Sequence, residues 1–354
     1  MEILQISPKV PPAIDGIADY AFTLASGLEQ QQIHTHFMAF PSERNAAAAN
    51  RFPTVSLPVD DPSAFVAAVP ASVQKVILHY SDYPYDPTFG APFWLVRALR
   101  VLKHQRSLPL LVMFHEFPSF YLLKKTFYRF PWQRSVAWQL AALADVVITN
   151  NAVTKTLLAK RLSQPIINLP VFSNIGELAQ PAPLAQRQRR LVVFGTPGRR
   201  ARIYQRSQAM LIHSCQRLGI AEICDIGASL HLNEPAIAGV RLVEMGEQPA
   251  AVVSRLMADS MAGIVYSTDN SRLTKSGVFA TYCAHGLVPI VTEASSPMSD
   301  GLQAGTHFLF AGEQSSVPDD NYFQTIARAA HQWYSCHNQA NTVECFLKAL
   351  KTDD

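Results

Sequence analysis

The sequence predicts an α/β protein of two domains, each a mainly parallel sheet with helices on its faces. Three observations carry this. Short apolar runs bounded by turn residues alternate with longer helical patterns, and that series occurs twice. Between the two lies 177–190, rich in Pro, Gln and Ala and without apolar periodicity, which reads as a linker. The expected layout is a first domain over 1–176, a linker over 177–190, a second domain over 191–330 and a terminal segment over 331–354.

In the first half the strand candidates are 3–6, 35–39, 76–79, 110–114, 146–149 and 166–169, each a short apolar run. Helical patterns fit between them at 20–30, 93–102 and 136–143. The second half repeats the rhythm at 191–194, 221–226, 241–244, 262–266, 288–291 and 307–310. Open sheets of this kind place ligands outside the carboxyl ends of their strands, so two of them are expected to face each other across a ligand cleft.

Composition narrows the function. With 48% hydrophobic and 16% charged residues in 354, the chain can bury a large core, which excludes disorder as its dominant state. A net charge of +3 is too mild for a dedicated nucleic-acid binder. No apolar run approaches the ~18 residues of a spanning helix, and Met1 to Ser7 lacks a leader pattern, so the expected location is the cytoplasm. The five cysteines lie in the second half without a C-x-x-C pair, which argues against a zinc ribbon or a disulfide scaffold.

Five segments carry chemistry. A proline-rich loop runs from the first strand through Asp15 and Gly16 to Asp19 and Tyr20, where a helix opens; its start suits either an anion or a stiff connection. The stretch from His79 to Pro87 sets Tyr83 and Tyr85 beside Asp82 and Asp86, which fits a polyhydroxylated ligand or a packed surface loop. His115 and Glu116 follow the strand 110–114, a position for catalytic or ligand-orienting groups. Between Glu177 and Glu222 there is no acid but eight arginines; Gly195, Arg199, Arg200 and Arg202 follow a strand, as a phosphate site requires. Lys275, Ser276 and Gly277 combine charge, hydroxyl and free N–H groups at a helix start, a plausible seat for a pyrophosphate.

These residues together resemble the retaining, nucleotide-sugar-dependent glycosyltransferases of the GT-B fold, the family-four or glycogen-synthase-like group. The likeness rests on four segments: Pro11-Pro12 to Tyr20, His115, Ala144 to Asn150, and the helix and strand from Lys275 to Pro289. It implies two Rossmann-like α/β/α domains facing each other across a cleft, the first for the acceptor and the second for the nucleotide-sugar. A terminal helix within 331–354 is implied to cross back to the first domain. By the same resemblance Gly16 approaches the donor phosphate, His115 touches the transferred sugar, and the Arg199 to Arg202 group neutralises the diphosphate, without the family's usual lysine. The family's glutamate pair is absent, since Leu273 and Thr281 stand in its place when Gly286 is set on the family's glycine.

The expected assignments follow. His115, Glu116 and Asp19 are the catalytic candidates. Gly16, Gly195, Arg199, Arg200, Lys275, Ser276, Gly277 and Thr281 are the donor-binding candidates, and Asp15, Asp82, Tyr83 and Tyr85 the acceptor-binding ones. The nucleoside diphosphate-sugar is a substrate, so no cofactor is expected, and without an Asp-x-Asp motif no metal. Expected partners are that donor, a glycan or other hydroxyl acceptor and, through the aromatic and basic stretch 120–134, the inner face of a membrane; nucleic acid is not expected. The alternative function is a non-catalytic GT-B protein that binds a sugar nucleotide or a partner enzyme.

Overall fold

The computed structural model describes the chain except residues 14, 42–50, 119–126, 233, 268–269, 293–297, 313–319 and 352–354. It divides into two compact units, Met1–Pro170 with Gln339–Asp354, and Val171–Asn338.

The first unit runs β1 (Glu2–Ile6), α1 (Gly16–Glu29), β2 (His34–Ala39), β3 (Thr54–Ser56), α2 (Pro62–Ala68), β4 (Lys75–Tyr80) and α3 (Asp82–Tyr85). It continues through α4 (Phe93–Arg106), β5 (Leu110–Phe114), α5 (Phe130–Leu143), β6 (Val146–Thr149), α6 (Ala152–Ala159) and β7 (Ile166–Asn168). All strand pairs are parallel, in the order β3-β2-β1-β4-β5-β6-β7. The direction of winding reverses between β1 and β4, the point where doubly wound sheets open a ligand crevice.

The second unit repeats this plan with β8 (Gln188–Phe194), α7 (Pro197–Arg206), α8 (Gln208–Leu218), β9 (Glu222–Ile226), β10 (Ala236–Ile237), β11 (Val240–Glu244), α9 (Ala250–Ala258) and β12 (Ser260–Val265). After these come α10 (Gly277–Ala284), β13 (Val288–Val291), the small hairpin β14 (Met298–Ser299) and β15 (Leu302–Gln303), β16 (Leu309–Phe310) and α11 (Asp320–Ser335). Its main sheet has the order β10-β11-β9-β8-β12-β13-β16, parallel except for the β10–β11 edge, and its switch point lies between β8 and β12. The last helix, α12 (Gln339–Lys351), belongs to the first unit.

Side chains alternate across each sheet. In the first unit Leu4, Ile6, Leu78, Val112 and Phe114 bury one face against Phe65 of α2, Leu95 and Leu99 of α4 and Leu140 of α5. The opposite face meets α1, whose Ala21 and Ala25 pack with Phe37 and Ala39. On the outer side of α1 lies α12, so close that a Cβ on Gly27 would stand 2.4 Å from Val343 Cγ2. Only glycine admits that approach.

Two expectations about the chain's organisation need correcting. The predicted linker 177–190 is integral to the second unit: Leu178 N–H donates to Ala284 O, Leu184 N–H to Gln324 Oε1, and Arg187 clamps Ser260 O and His285 O at 3.1 and 2.9 Å. Composition without periodicity had concealed these backbone-directed bonds. The unit boundary falls at 170/171 instead. The segment expected to cross from 331 begins at Gln339, since Phe323, Ile326 and Ala327 anchor α11 in the second core. The arginine group follows β8 as expected and lies in the first two turns of α7, with Pro197 opening the helix, where its missing N–H costs nothing.

Gly27→Ala should loosen α12 from α1, with faster amide exchange confined to 339–351 and a lower melting temperature. Val343→Ala in the same chain should restore both, because it removes the atom that the new Cβ meets; exchange mass spectrometry on the pair reads the result.

Candidate functional site

Each unit gathers its predicted residues at the carboxyl ends of its strands. In the first unit Asp15 caps α1, its Oδ1 accepting from the Ile17 and Ala18 N–H groups at 2.9 and 3.1 Å. Gly16 opens the helix with nothing within 4 Å of where a Cβ would sit, so open space lies over its backbone. Asp19 follows one turn later, half-buried, and no hydrogen bond or ion pair among the described residues reaches its carboxylate. Burial, with Asp15 adding repulsion, pushes its pKa from the ordinary 3.8 to about 6.

His115 stands just past β5, 8% exposed, with Glu116 exposed beside it. Its backbone is held on both sides: its N–H donates to Tyr80 O at 2.9 Å, and Asn150 Nδ2 donates to its carbonyl at 2.9 Å. Its Nε2 lies 3.1 Å from His79 Nδ1, and His79 Nε2 lies 2.7 Å from Gln5 Oε1. Tyr20 of α1 packs edge-on to both rings, at 5.0 Å from His115 and 5.9 Å from His79. Burial drives both imidazoles toward the neutral form, His79 well below its usual value and His115 down to about 3.

The acceptor candidates separate here. Tyr83 is 39% exposed and accessible. Asp82 is buried, its Oδ1 accepting the Tyr83 N–H at 2.9 Å. Tyr85 is corrected to a structural residue: 3% exposed, it donates its hydroxyl to Ile6 O and His79 O and so ties β1 to β4.

In the second unit the N-termini of α7 and α10 approach each other, since a Cβ on Gly195 would stand 3.0 Å from Val278 Cγ2. Arg199 is exposed in the first turn of α7, reaching Tyr266 O at 3.3 Å, and the Arg202 guanidinium lies 5.6 Å from the Tyr266 ring. Across from them Lys275 precedes Ser276, whose Oγ caps α10 by accepting the Phe279 N–H at 3.2 Å. Gly198 and Gly277, in the first turns of these helices, have open space where a Cβ would be.

Two donor-site expectations are overturned. Arg200 is fully buried, its Nε–H donating to Gly195 O at 2.9 Å and its terminal nitrogens to Asp225 and Ala228 O. Tyr204 completes the cluster by donating to Asp225 Oδ2 at 2.8 Å. No face of that guanidinium is left for a ligand. Thr281 is 1% exposed, its hydroxyl donating to Gly277 O at 2.8 Å and meeting Ser173 Oγ at 3.1 Å, so it offers nothing to a ribose. Leu273, at the other glutamate position, is 1% exposed.

Gln5 and Asp225 were not among the expected site residues, and His79 opened the stretch 79–87 without a role of its own. Each is a polar residue inside an otherwise apolar strand, and that interruption was the available signal. Among the described residues no group of three or more His, Cys, Asp or Glu side chains could hold a metal ion, and no helix is long and apolar enough to cross a membrane. Of the stretch 120–134, residues 120–126 lie outside the described residues.

No family model matches the sequence, nor does any curated protein. Solved structures resemble it over its whole length. HepE (Alr3699) of Anabaena, solved with UDP and glucose, is 13% identical with a TM-score of 0.63, the match covering 99% of this chain and 100% of that one. A glycosyltransferase from Rickettsia africae ESF-5 is 11% identical with a TM-score of 0.63, over 99% and 98%. WaaB, a lipopolysaccharide outer core galactosyltransferase solved in its apo form, is 14% identical with a TM-score of 0.57, over 100% of both chains. At such identities the likeness establishes the fold, which is GT-B.

Replacing Arg200 by Ala strands Asp225 as a buried charge and should destabilise the chain by about 3–5 kcal/mol, whereas Arg199→Ala should leave the unfolding free energy within about 0.5 kcal/mol of wild type. Asp19→Asn tests the raised carboxyl. A pKa lifted on folding adds stability that is complete below the unfolded carboxyl's value of 3.8 and is lost as pH rises through about 6. The Asn variant should therefore melt above wild type at pH 7.5 and lose that advantage near pH 4, as read by calorimetry across the range.

Proposed function

We propose that this protein is a glycosyltransferase, moving a sugar from a nucleoside diphosphate-sugar to an acceptor hydroxyl with retention of configuration. The second unit takes the nucleoside diphosphate, and the strand-end edge of the first takes the sugar and acceptor. The observation that carries this is the meeting of the α7 and α10 N-termini beside Gly195, at the switch point of a doubly wound sheet, flanked by Arg199 and Lys275. Helix N-termini supply N–H donors and positive potential to an anion. Glycine inside a helix costs about 0.5–1 kcal/mol relative to alanine, and neither packing nor a positive φ requires it at Gly198 or Gly277. An approaching ligand gives those glycines a reason.

As the bond to the sugar breaks, negative charge collects on the departing diphosphate, where Arg199, Lys275 and the Gly277 N–H stabilise it, the Ser276 N–H being held by Leu273 O at 3.0 Å. Gly16 has open space where a Cβ would sit, which lets a phosphate approach the α1 N-terminus. His115, neutral at physiological pH, orients the sugar. Glu116 and Asp19 are the carboxylate candidates for the acceptor hydroxyl, with Asp15, Asp82 and Tyr83 the further acceptor candidates; a carboxyl poised near 6 suits proton acceptance. With Leu273 and Thr281 buried where the resembled family carries glutamates, cations and helix ends carry the leaving-group chemistry here. HepE was solved with UDP, which makes UDP-hexoses the first donors to try.

Purified full-length protein, incubated with UDP-, GDP- and ADP-sugars and a panel of glycan acceptors, should release nucleoside diphosphate and form a product whose anomeric configuration, read by NMR, matches the donor. Binding without turnover across the panel would identify the non-catalytic alternative, and absence of nucleotide binding would end the reading altogether. Lys275→Ala should cost roughly 1.5–3 kcal/mol in nucleoside diphosphate binding and leave nucleoside binding nearly unchanged. Equal losses in calorimetry would remove Lys275 from the phosphate site.

The same reading sets the enzyme to work in the cytoplasm, against the inner face of a membrane. Tyr128 and Trp132 are 51% and 54% exposed at the start of α5, among Arg129 and Arg134, a combination that suits an anionic interface. Flotation with anionic vesicles should capture the protein at low salt and release it at high salt. Replacing Trp132 and Arg134 by Ala should weaken capture about tenfold, and equal binding to neutral vesicles would exclude this mode.

A further inference from the structure

We propose that Gln5 and His79 are positioning residues that hold His115 as a hydrogen-bond acceptor with its Nδ1 bare, so that the site selects a sugar offering a free hydroxyl there over one offering a carboxylate. This rests on the reading that His115 touches the transferred sugar.

The proton order follows from one group. With its Oε1 turned to His79 Nε2 at 2.7 Å, and its Nε2 buried without a hydrogen-bond partner among the described residues, Gln5 acts as the acceptor, which places a proton on that nitrogen. Neutral imidazole carries one N–H, which leaves His79 Nδ1 as a lone pair. That lone pair lies 3.1 Å from His115 Nε2, which must then be the donor. His115 is left with a bare Nδ1, and no hydrogen bond among the described residues uses it. Burial of both rings supports the neutral forms on which this order depends.

The surroundings hold the chain in place. Gln5 and His79 are 0% exposed, on central strands β1 and β4, while His115 ends β5, so the relay crosses three adjacent strands on the face covered by α1. Tyr20 fixes the planes of both imidazoles from the side, and the His115 backbone is bonded at N–H and C=O. Two fully buried polar side chains in central strands cost desolvation and are the weakest choice for packing alone. Their effect here is to decide which nitrogen of the one ring at the strand end faces outward as an acceptor. A hydroxyl donates to that nitrogen. A carboxylate meets it lone pair to lone pair, and a deoxy position leaves it unpaired.

The proton order can be read without turnover. In protein labelled with 15N-histidine, long-range 1H–15N correlation should give both His79 and His115 as neutral Nε2–H tautomers at pH 7, assigned by loss of signals in His79→Gln and His115→Gln. A Nδ1–H tautomer at either residue, the order produced if Gln5 donates, would overturn the proposal. Gln5→Leu should convert His115 to a tautomer mixture and lower kcat/KM for a neutral hexose donor about tenfold with nucleoside diphosphate affinity unchanged. A merely structural Gln5 would change stability and leave the tautomer as it was. Wild type should favour a UDP-hexose over the matching UDP-uronate by at least about tenfold, and preference for the uronate would refute the selectivity. Nε2–H tautomers with no transfer from any donor would overturn the catalytic reading and the selectivity with it, and leave the proton order standing.

Discussion

A guanidinium with no water around it must have its donors satisfied by the protein, and Arg200 imposes that condition on the second unit. Its bonds join the end of β8 at Gly195, the strand β9 at Asp225 and the following loop at Ala228. The cluster admits no side chain at position 227, where a Cβ would stand 2.8 Å from Gly195 O and 2.9 Å from Arg200 Nε and where φ is +138°. The loops that form the strand-end edge are thereby fixed from beneath, and the α7 N-terminus with them. Arg199, exposed in the first turn of α7, stays outside the cluster.

The first unit solves the same problem without charge. Gln5, His79 and His115 are buried in series as neutral groups, and the proposed order of protons runs from the middle of β1 to the end of β5. An ion pair at that place would cost several kcal/mol in desolvation and would set the charge of the terminal ring. A neutral relay sets its orientation and tautomer only. The two units thus divide the labour in the proposed transfer: fixed positive potential where a diphosphate departs, and an uncharged, oriented acceptor where a sugar sits.

The absent glutamate pair belongs to the same division. Leu273 and Thr281 face the interior, and Thr281 spends its hydroxyl on Gly277 O and Ser173. A carboxylate at either place would be a buried charge, which the burial of both positions disfavours.

The sequence by itself determined the strands, because apolar runs in a parallel sheet are a local signal: 110–114, 146–149 and 288–291 coincide with β5, β6 and β13. It also placed His115, Gly16 and Lys275 at strand or helix ends, since chain order alone puts residues after a strand at its carboxyl edge. The side of a helix on which a residue lies was decided elsewhere. Arg199 and Arg200 are neighbours of identical chemistry, yet about 100° of helical turn sends one to solvent and the other into the core, according to where Asp225 waits 25 residues on. The assignment of Gln339 to Lys351 to the first unit was likewise settled by the groove that Gly27 leaves for Val343. The relay joins residues 74 and 36 positions apart, so only the packing of β1, β4 and β5 into adjacent register could bring Gln5, His79 and His115 within hydrogen-bonding distance.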